Sequence, residues 1–173
     1  MGKLSAAALL LLALLALAGC GGGGSATQAT RPTVTGADGT AASRFILSTD
    51  VCALLKPAEA RRLLGALSGR PRAQSYPATD ERSCYYRGRA DEQLIVSLDE
   101  ARYVQPPLGV RAFEIHGLRT LYDPATHGVD AYAGRVVVSV SLLSTGRGQA
   151  ESKRLTAAAA ALALARLAKA PGQ

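Results

Sequence analysis

Tryptophan and asparagine are absent from the 173 residues, methionine occurs once, histidine twice, and lysine four times against 16 arginines. So one-sided a choice of residue types reads as GC-rich coding before it reads as chemistry, and it tempers the meaning of any single Arg. Long apolar runs are missing too. The longest, residues 4–18, is interrupted only by Ser5 and spans roughly 22 Å as a helix, short of the ~30 Å bilayer core. A permanent membrane span is thereby disfavoured. Catalytic signatures are equally scarce: no Gly-x-Ser-x-Gly, Ser-x-x-Lys or phosphate-binding Gly-rich run occurs, and the two His match no zinc spacing such as His-Glu-x-x-His. What is present excludes disorder and fibrous repeats. Apolar residues make up 48% and charged residues 19%, enough for one packed domain, with 20 Lys and Arg against 13 Asp and Glu for a net charge of +7.

The N-terminal segment has the three parts of an export signal: Lys3, the apolar stretch, and small residues at Ala18-Gly19-Cys20. Residues 1–19 are therefore expected to be removed. The run Leu17-Ala18-Gly19-Cys20 resembles the lipobox of bacterial lipoproteins, which implies a diacylglycerol on the Cys20 thiol, cleavage before it and acylation of the new amine. An ordinary signal peptide with a Cys near its cleavage region is the alternative, but a lone thiol in an oxidising compartment is a liability that lipid would consume. Two or three acyl chains, at about 0.8 kcal/mol per buried CH₂, hold a chain on a bilayer where one does not. Residues 20–44 lack apolar periodicity and are dominated by Gly, Ala, Ser and Thr. They read as a flexible tether with a root-mean-square span of roughly 27 Å.

Residues 45–170 read as a single globular extracytoplasmic domain. Phe45-Ile46-Leu47 suggests a short entry strand, and Ser48-Thr49-Asp50 supplies cap oxygens for the segment that follows. Pro57 suits the first position of a short helix, Glu59 favours its positive N-terminus, and Gly65 ends its apolar stripe of Ala60, Leu63 and Leu64. At most an edge strand falls around residues 72–76. Cys84-Tyr85-Tyr86 and residues 93–98, joined by a charged Gly-containing turn, predict a hairpin, and residues 129–132 and 135–143 about Ala133-Gly134 predict another. The run Val136-Val137-Val138-Ser139-Val140 predicts a central strand. From about Gln149 to Lys169 the composition favours a long helix with a stripe of Leu155, Ala158, Ala159, Leu162 and Ala165, widened by Leu164 and Leu167. Strands grouped between helices point to α+β: an antiparallel sheet of about four to six strands packed against a short N-terminal helix and a long C-terminal helix.

The segment Asp50-Val51-Cys52-Ala53-Leu54-Leu55-Lys56-Pro57-Ala58-Glu59-Ala60, the later Ser83-Cys84-Tyr85-Tyr86, the lipobox and the Ala/Leu-rich C-terminal helix together resemble domain of unknown function 3558. That family consists of lipoproteins of high-GC Gram-positive bacteria. The resemblance covers about residues 45–169. Val51 stands where the family pattern has Pro, and Lys56 where it has Thr or Ser. The resemblance implies an envelope location and a fold, with no established reaction or ligand.

Cys52 and Cys84 are the even pair left after Cys20, and a disulfide is the default in an exported domain. The wide spacing argues against a redox or metal pair. His116 and His127 each precede Gly in what reads as loop; with Glu114, Asp123 and Asp130 nearby they could form an acid–base site, or shape turns. A ligand groove is expected beside the sheet, with Tyr103, Phe113, His116, Tyr122 and His127 as its candidate residues. Arg61, Arg62, Arg70, Arg72, Arg82, Arg87 and Arg89 could meet anionic lipid or a cell-wall polymer, or be solvated surface; nucleic acid is excluded by location. The function expected is a lipid-anchored ligand-binding, accessory or sensor module on the outer face of the cell membrane, with no cofactor, no metal and no enzymatic role. The alternative is a small envelope hydrolase using His116 or His127.

Overall fold

The computed structural model describes residues 41–76, 78–106, 110 and 112–169, so the signal, Cys20 and residues 21–40 of the tether lie outside the described residues. Helix α1, Ala41–Ser48, opens the described chain. It absorbs Phe45-Ile46-Leu47, correcting the expected entry strand, and takes in residues 41–44 ahead of them. Three apolar residues in a row carry no period of their own. The helix is decided instead by Ala42, Ser43 and Ile46, three and four positions apart and buried together. The Ser43 hydroxyl lies 3.0 Å from both Asp80 Oδ2 and Glu100 Oε2, and Arg102 reaches Glu100 at 2.8 Å. Those groups clamp α1 to the sheet.

Asp50 accepts from the Cys52 N–H at 3.1 Å and caps a 3-10 turn, Val51–Ala53. Helix α2, Pro57–Leu64, follows with Pro57 at its start, as the sequence predicts. Lys56 supplies no capping side chain. Glu59 compensates from inside the helix by accepting from the Lys56 N–H at 2.9 Å. Gly65 ends the helix at φ 80°, a left-handed conformation that glycine adopts without steric cost. A disulfide joins Cys52 to Cys84 with the Cα atoms 5.1 Å apart, tying the 3-10 turn to the sheet. Beside it the Tyr86 hydroxyl faces the carbonyls of Leu55 (2.6 Å) and Cys52 (3.2 Å).

The fold is α+β, and its antiparallel sheet has seven strands, above the four to six expected. They are β1 (Arg72–Tyr76), β2 (Glu81–Arg87), β3 (Gln93–Glu100), β4 (Ala112–Ile115), β5 (Leu118–Asp123), β6 (Gly128–Ala133) and β7 (Val136–Leu143). Their order across the sheet is β1-β2-β3-β7-β6-β5-β4. The surplus comes from β4 and β5, where no strand was expected, while β1 takes the edge position expected around residues 72–76. Strand β1 has hardly any buried side chain and β4 is four residues long, so neither carries an alternating apolar signal. The Val-rich β7 is central, between β3 and β6, and both predicted hairpins form.

Helix α3, Gln149–Leu167, crosses the sheet and contacts β7, β6, β4 and β3. Its buried side is Ser152, Leu155, Thr156, Ala159, Ala160, Ala163, Leu164 and Leu167. The expected stripe was rotated: Ala165 is exposed, while Ala158 and Leu162 are half-buried. Ala and Leu occupy both sides of this helix, so hydropathy cannot choose the face. Arginines pin both of its ends. Arg147 holds Glu92 and Glu151, each at 2.6 Å, and Arg166 bonds the Leu54 carbonyl (2.7 Å) and Glu59 (2.5 Å). The hydrophobic core lies between the helices and one face of the sheet, where Val96, Leu98, Val138, Val140 and Ala131 meet Ile46, Leu55 and the small residues of α3.

Candidate functional site

The turns between β4, β5 and β6 place both histidines. His116 (φ 52°) and Gly117 (φ 75°) form the two-residue loop between paired Ile115 and Leu118, a hairpin turn that requires two left-handed residues. His116 is thereby thrown under α3, where its Nε2 lies 3.1 Å from the Ala161 carbonyl. In the next turn Asp123 accepts from the Ala125 N–H (2.8 Å) and the Thr126 hydroxyl (2.9 Å), and His127 takes φ 49° before Gly128. The Tyr122 hydroxyl donates to the Gln149 carbonyl (3.2 Å) and lies 3.3 Å from His127 Nδ1. Burial raises the Tyr122 pKa, with Asp123 adding to it, so the phenol stays neutral.

Four of the five groove residues are thus gathered along α3. Lys153 Nζ sits 5.0 Å from the Phe113 ring centroid and 5.6 Å from that of Tyr122, joining β4 and β5 to the helix start. His116 lies farther along the helix. Tyr103 stands apart, on the connection after β3, with the Arg102 guanidinium 4.7 Å above its ring. The recorded partners of the two imidazoles are a backbone carbonyl and a phenol, not a serine or a carboxylate. Among the described residues no group of three His, Cys, Asp or Glu is placed to hold a metal, and no helix is long and apolar enough to cross a membrane.

Beyond His116 opens a cleft of about 600 Å³ between the end of α3 and the two hairpin turns. Leu118, Ala133, Gly134, Leu164, Ala165 and Leu167 line it with little besides methyl groups, and His116 supplies its one ionisable side chain. The cleft stays open because the β6–β7 turn, Ala133 and Gly134 at φ 64°, offers no long side chain to meet Leu164 and Leu167 across it.

The opposite face of the sheet carries polar groups that sequence reading missed. Strand register aligns Ser83, Ser97, Ser139 and Asp130 in one row and Asp99, Val137 and Tyr132 in the next, with the Glu81 charge acting on Asp99 and the Arg119 guanidinium 5.8 Å from the Tyr132 ring centroid. The Ser83 hydroxyl lies 2.6 Å from Glu81 Oε1 and 2.8 Å from the Ser97 hydroxyl. Burial, then the Glu81 charge, pushes Asp99 up to about 7 against a hydrogen bond from Ser139. Asp130 is raised too, again chiefly by burial. Val137 (0% exposed) and Leu121 (2%) are buried here, yet belong to this face and not to the main core. The only sequence signal was Ser and Asp alternating with apolar residues on β3, β6 and β7, which reads as plain solvent-facing pattern.

The seven arginines divide. Arg82 points toward the helices and gives its Nη1 to the Leu47 carbonyl at 2.5 Å, so it belongs to the fold. Arg61, Arg62, Arg70, Arg72, Arg87 and Arg89 are exposed. Compared with models of known families, with curated proteins and with solved structures, the chain gives no match.

Proposed function

We propose that this chain is a lipoprotein anchored through Cys20 to the outer face of the cell membrane, of the kind gathered in domain of unknown function 3558, and that its domain binds a small apolar ligand. The observation that carries the anchoring is the Cys52–Cys84 bridge. With both domain cysteines paired, Cys20 is the one thiol left, and it closes the lipobox-like run. A disulfide also suits an oxidising compartment. The apolar cleft beside His116 supports the binding role: it is concave, mostly methyl-lined and has a single polar anchor, the composition that favours a hydrophobic ligand.

Anchoring is tested by Cys20→Ala in the native host. The protein is expected to leave the membrane fraction or to stay unprocessed, and correct processing with unchanged detergent partitioning refutes the anchor. Binding is tested by native mass spectrometry of the purified chain beside Ala165→Trp, which plugs the cleft. A bound apolar molecule in the wild type that is lost in the variant supports the reading. A clean wild-type mass, or a molecule kept by both proteins, refutes it.

A further inference from the structure

Six exposed arginines converge at one end of the molecule, and we propose that this end docks on the headgroup surface of an anionic bilayer. The proposal rests on the lipid-anchored reading and adds an orientation to it. The fold produces the convergence. The Ser68 N–H donates to the Arg87 carbonyl at 2.9 Å, which brings the loop carrying Arg70 beside the end of β2. Arg72 pairs with Tyr85 across β1 and β2, two residues from Arg87 and on the same face. Arg61 and Arg62 occupy the last turn of α2, whose Leu64 packs toward Gly88. Arg87 stands between two recesses: one of about 490 Å³ shared with Ser68 and Arg89, and one of about 360 Å³ shared with Arg72 and Tyr85.

Charge balance favours an anionic partner. None of the six is in an ion pair among the described residues. The nearby carboxylates Glu59 and Glu92 are taken by Arg166 and Arg147, which leaves Asp91 as the one acid of the recesses outside an ion pair. Reach favours a bilayer. Twenty residues separate Cys20 from Ala41, a contour of at most about 70 Å. They join the fold near the start of β2, since α1 meets Arg82 and Asp80, and the seven-residue β2 carries the arginine end roughly 20 Å away. That contour exceeds the length of β2, so an anchored chain is long enough to bring that end to the surface. Each cation held near an anionic leaflet strengthens the contact about fivefold.

The chain has no Trp, so Gly69→Trp, where a Cβ meets nothing within 4 Å, installs a single reporter beside Arg70. The lipidated protein is reconstituted in vesicles of phosphatidylcholine, with or without phosphatidylglycerol, and energy transfer from Trp to a dansyl lipid reads docking. Transfer is expected to rise with phosphatidylglycerol and fall with salt. The triple variant Arg72→Gln, Arg87→Gln, Arg89→Gln should weaken docking about a hundredfold. Arg135→Gln, Arg154→Gln, Lys169→Gln, which removes equal charge elsewhere, should leave it intact. Equal transfer on both vesicles, equal effects of the two triples, or retention on an anionic wall polymer without a response to phosphatidylglycerol overturns the proposal. Flotation with phosphatidylcholine vesicles reads the anchor separately, so its loss refutes anchoring while transfer on phosphatidylglycerol still decides docking.

Discussion

On β3, Leu94, Val96 and Leu98 point at the helices, while Ile95, Ser97 and Asp99 point away, and the same alternation divides β7 into Val138 and Val140 against Ser139 and Ser141. One face is closed by apolar burial, a disulfide and the Tyr86 phenol. The other is held by paired hydroxyls and carries carboxylates close enough to repel, such as Glu81 and Asp99. Like charges that near one another are destabilising. Stability is therefore concentrated on the helical side, and sensitivity to protonation on the other.

The comparison is broken hardest by cutting the covalent tie. Replacing Cys52 and Cys84 together by Ala should lower the unfolding free energy by about 4 kcal/mol, from the chain entropy of a loop with sequence separation 32, read by urea denaturation. Neighbouring residues on one strand sharpen it next. Leu94→Ala should cost about 3 kcal/mol, and Ile95→Ala, half-buried on the far face, about 1 kcal/mol. Equal costs would mean that the two faces are alike.

Titration separates the faces by sign. Asp99 keeps its proton in the folded state up to about 7, whereas the unfolded chain releases it near the ordinary carboxylate value. Stability should then fall as pH rises through that window, with the full deficit reached above it. Asp99→Asn should flatten the slope and add on the order of 1 to 2 kcal/mol at pH 8, after discounting for partial solvent screening, measured as denaturation midpoints across pH. On the helical side Glu59 behaves oppositely. Its hydrogen bond from Arg166 lowers its pKa, so its contribution is present at neutral pH and lost as the solution is acidified through the folded value. Glu59→Gln should cost about 0.5 to 1 kcal/mol at pH 7 and nothing in acid.

These contrasts also explain what could be read from sequence. Val136 to Val140 announced the central strand because β-branched residues in a run have few other homes, and Pro57 with Gly65 bracketed α2 because each fixes a backbone angle. The disulfide followed from counting cysteines. The entry helix did not, since Ala41 to Arg44 blend into a Gly/Ala/Ser/Thr stretch and only contact with Asp80 and Glu100 gives Ser43 a meaning. The histidines were placed correctly in turns, but Tyr103 was grouped with residues that the sheet order separates from it. The row of Ser83, Ser97 and Ser139 was invisible, because strand register is a property of three segments at once and no single segment encodes it.

The pairing of β3 with β7 has a consequence in time. Strands β1 to β3 and β4 to β7 are each chain-local meanders, but the seam between them joins residues 93–100 to 136–143. Local hairpins form in roughly microseconds, whereas closing so long a loop must wait for entropy to be overcome. A chain made in N-to-C order completes β3, with Leu94, Ile95 and Val96, before its partner β7 exists. Until β7 arrives, that strand is an exposed apolar edge able to template pairing between copies. The order of synthesis thus makes β3 the segment most dependent on chaperone protection, and slowing synthesis of residues 136–143 should raise aggregation more than slowing any other stretch.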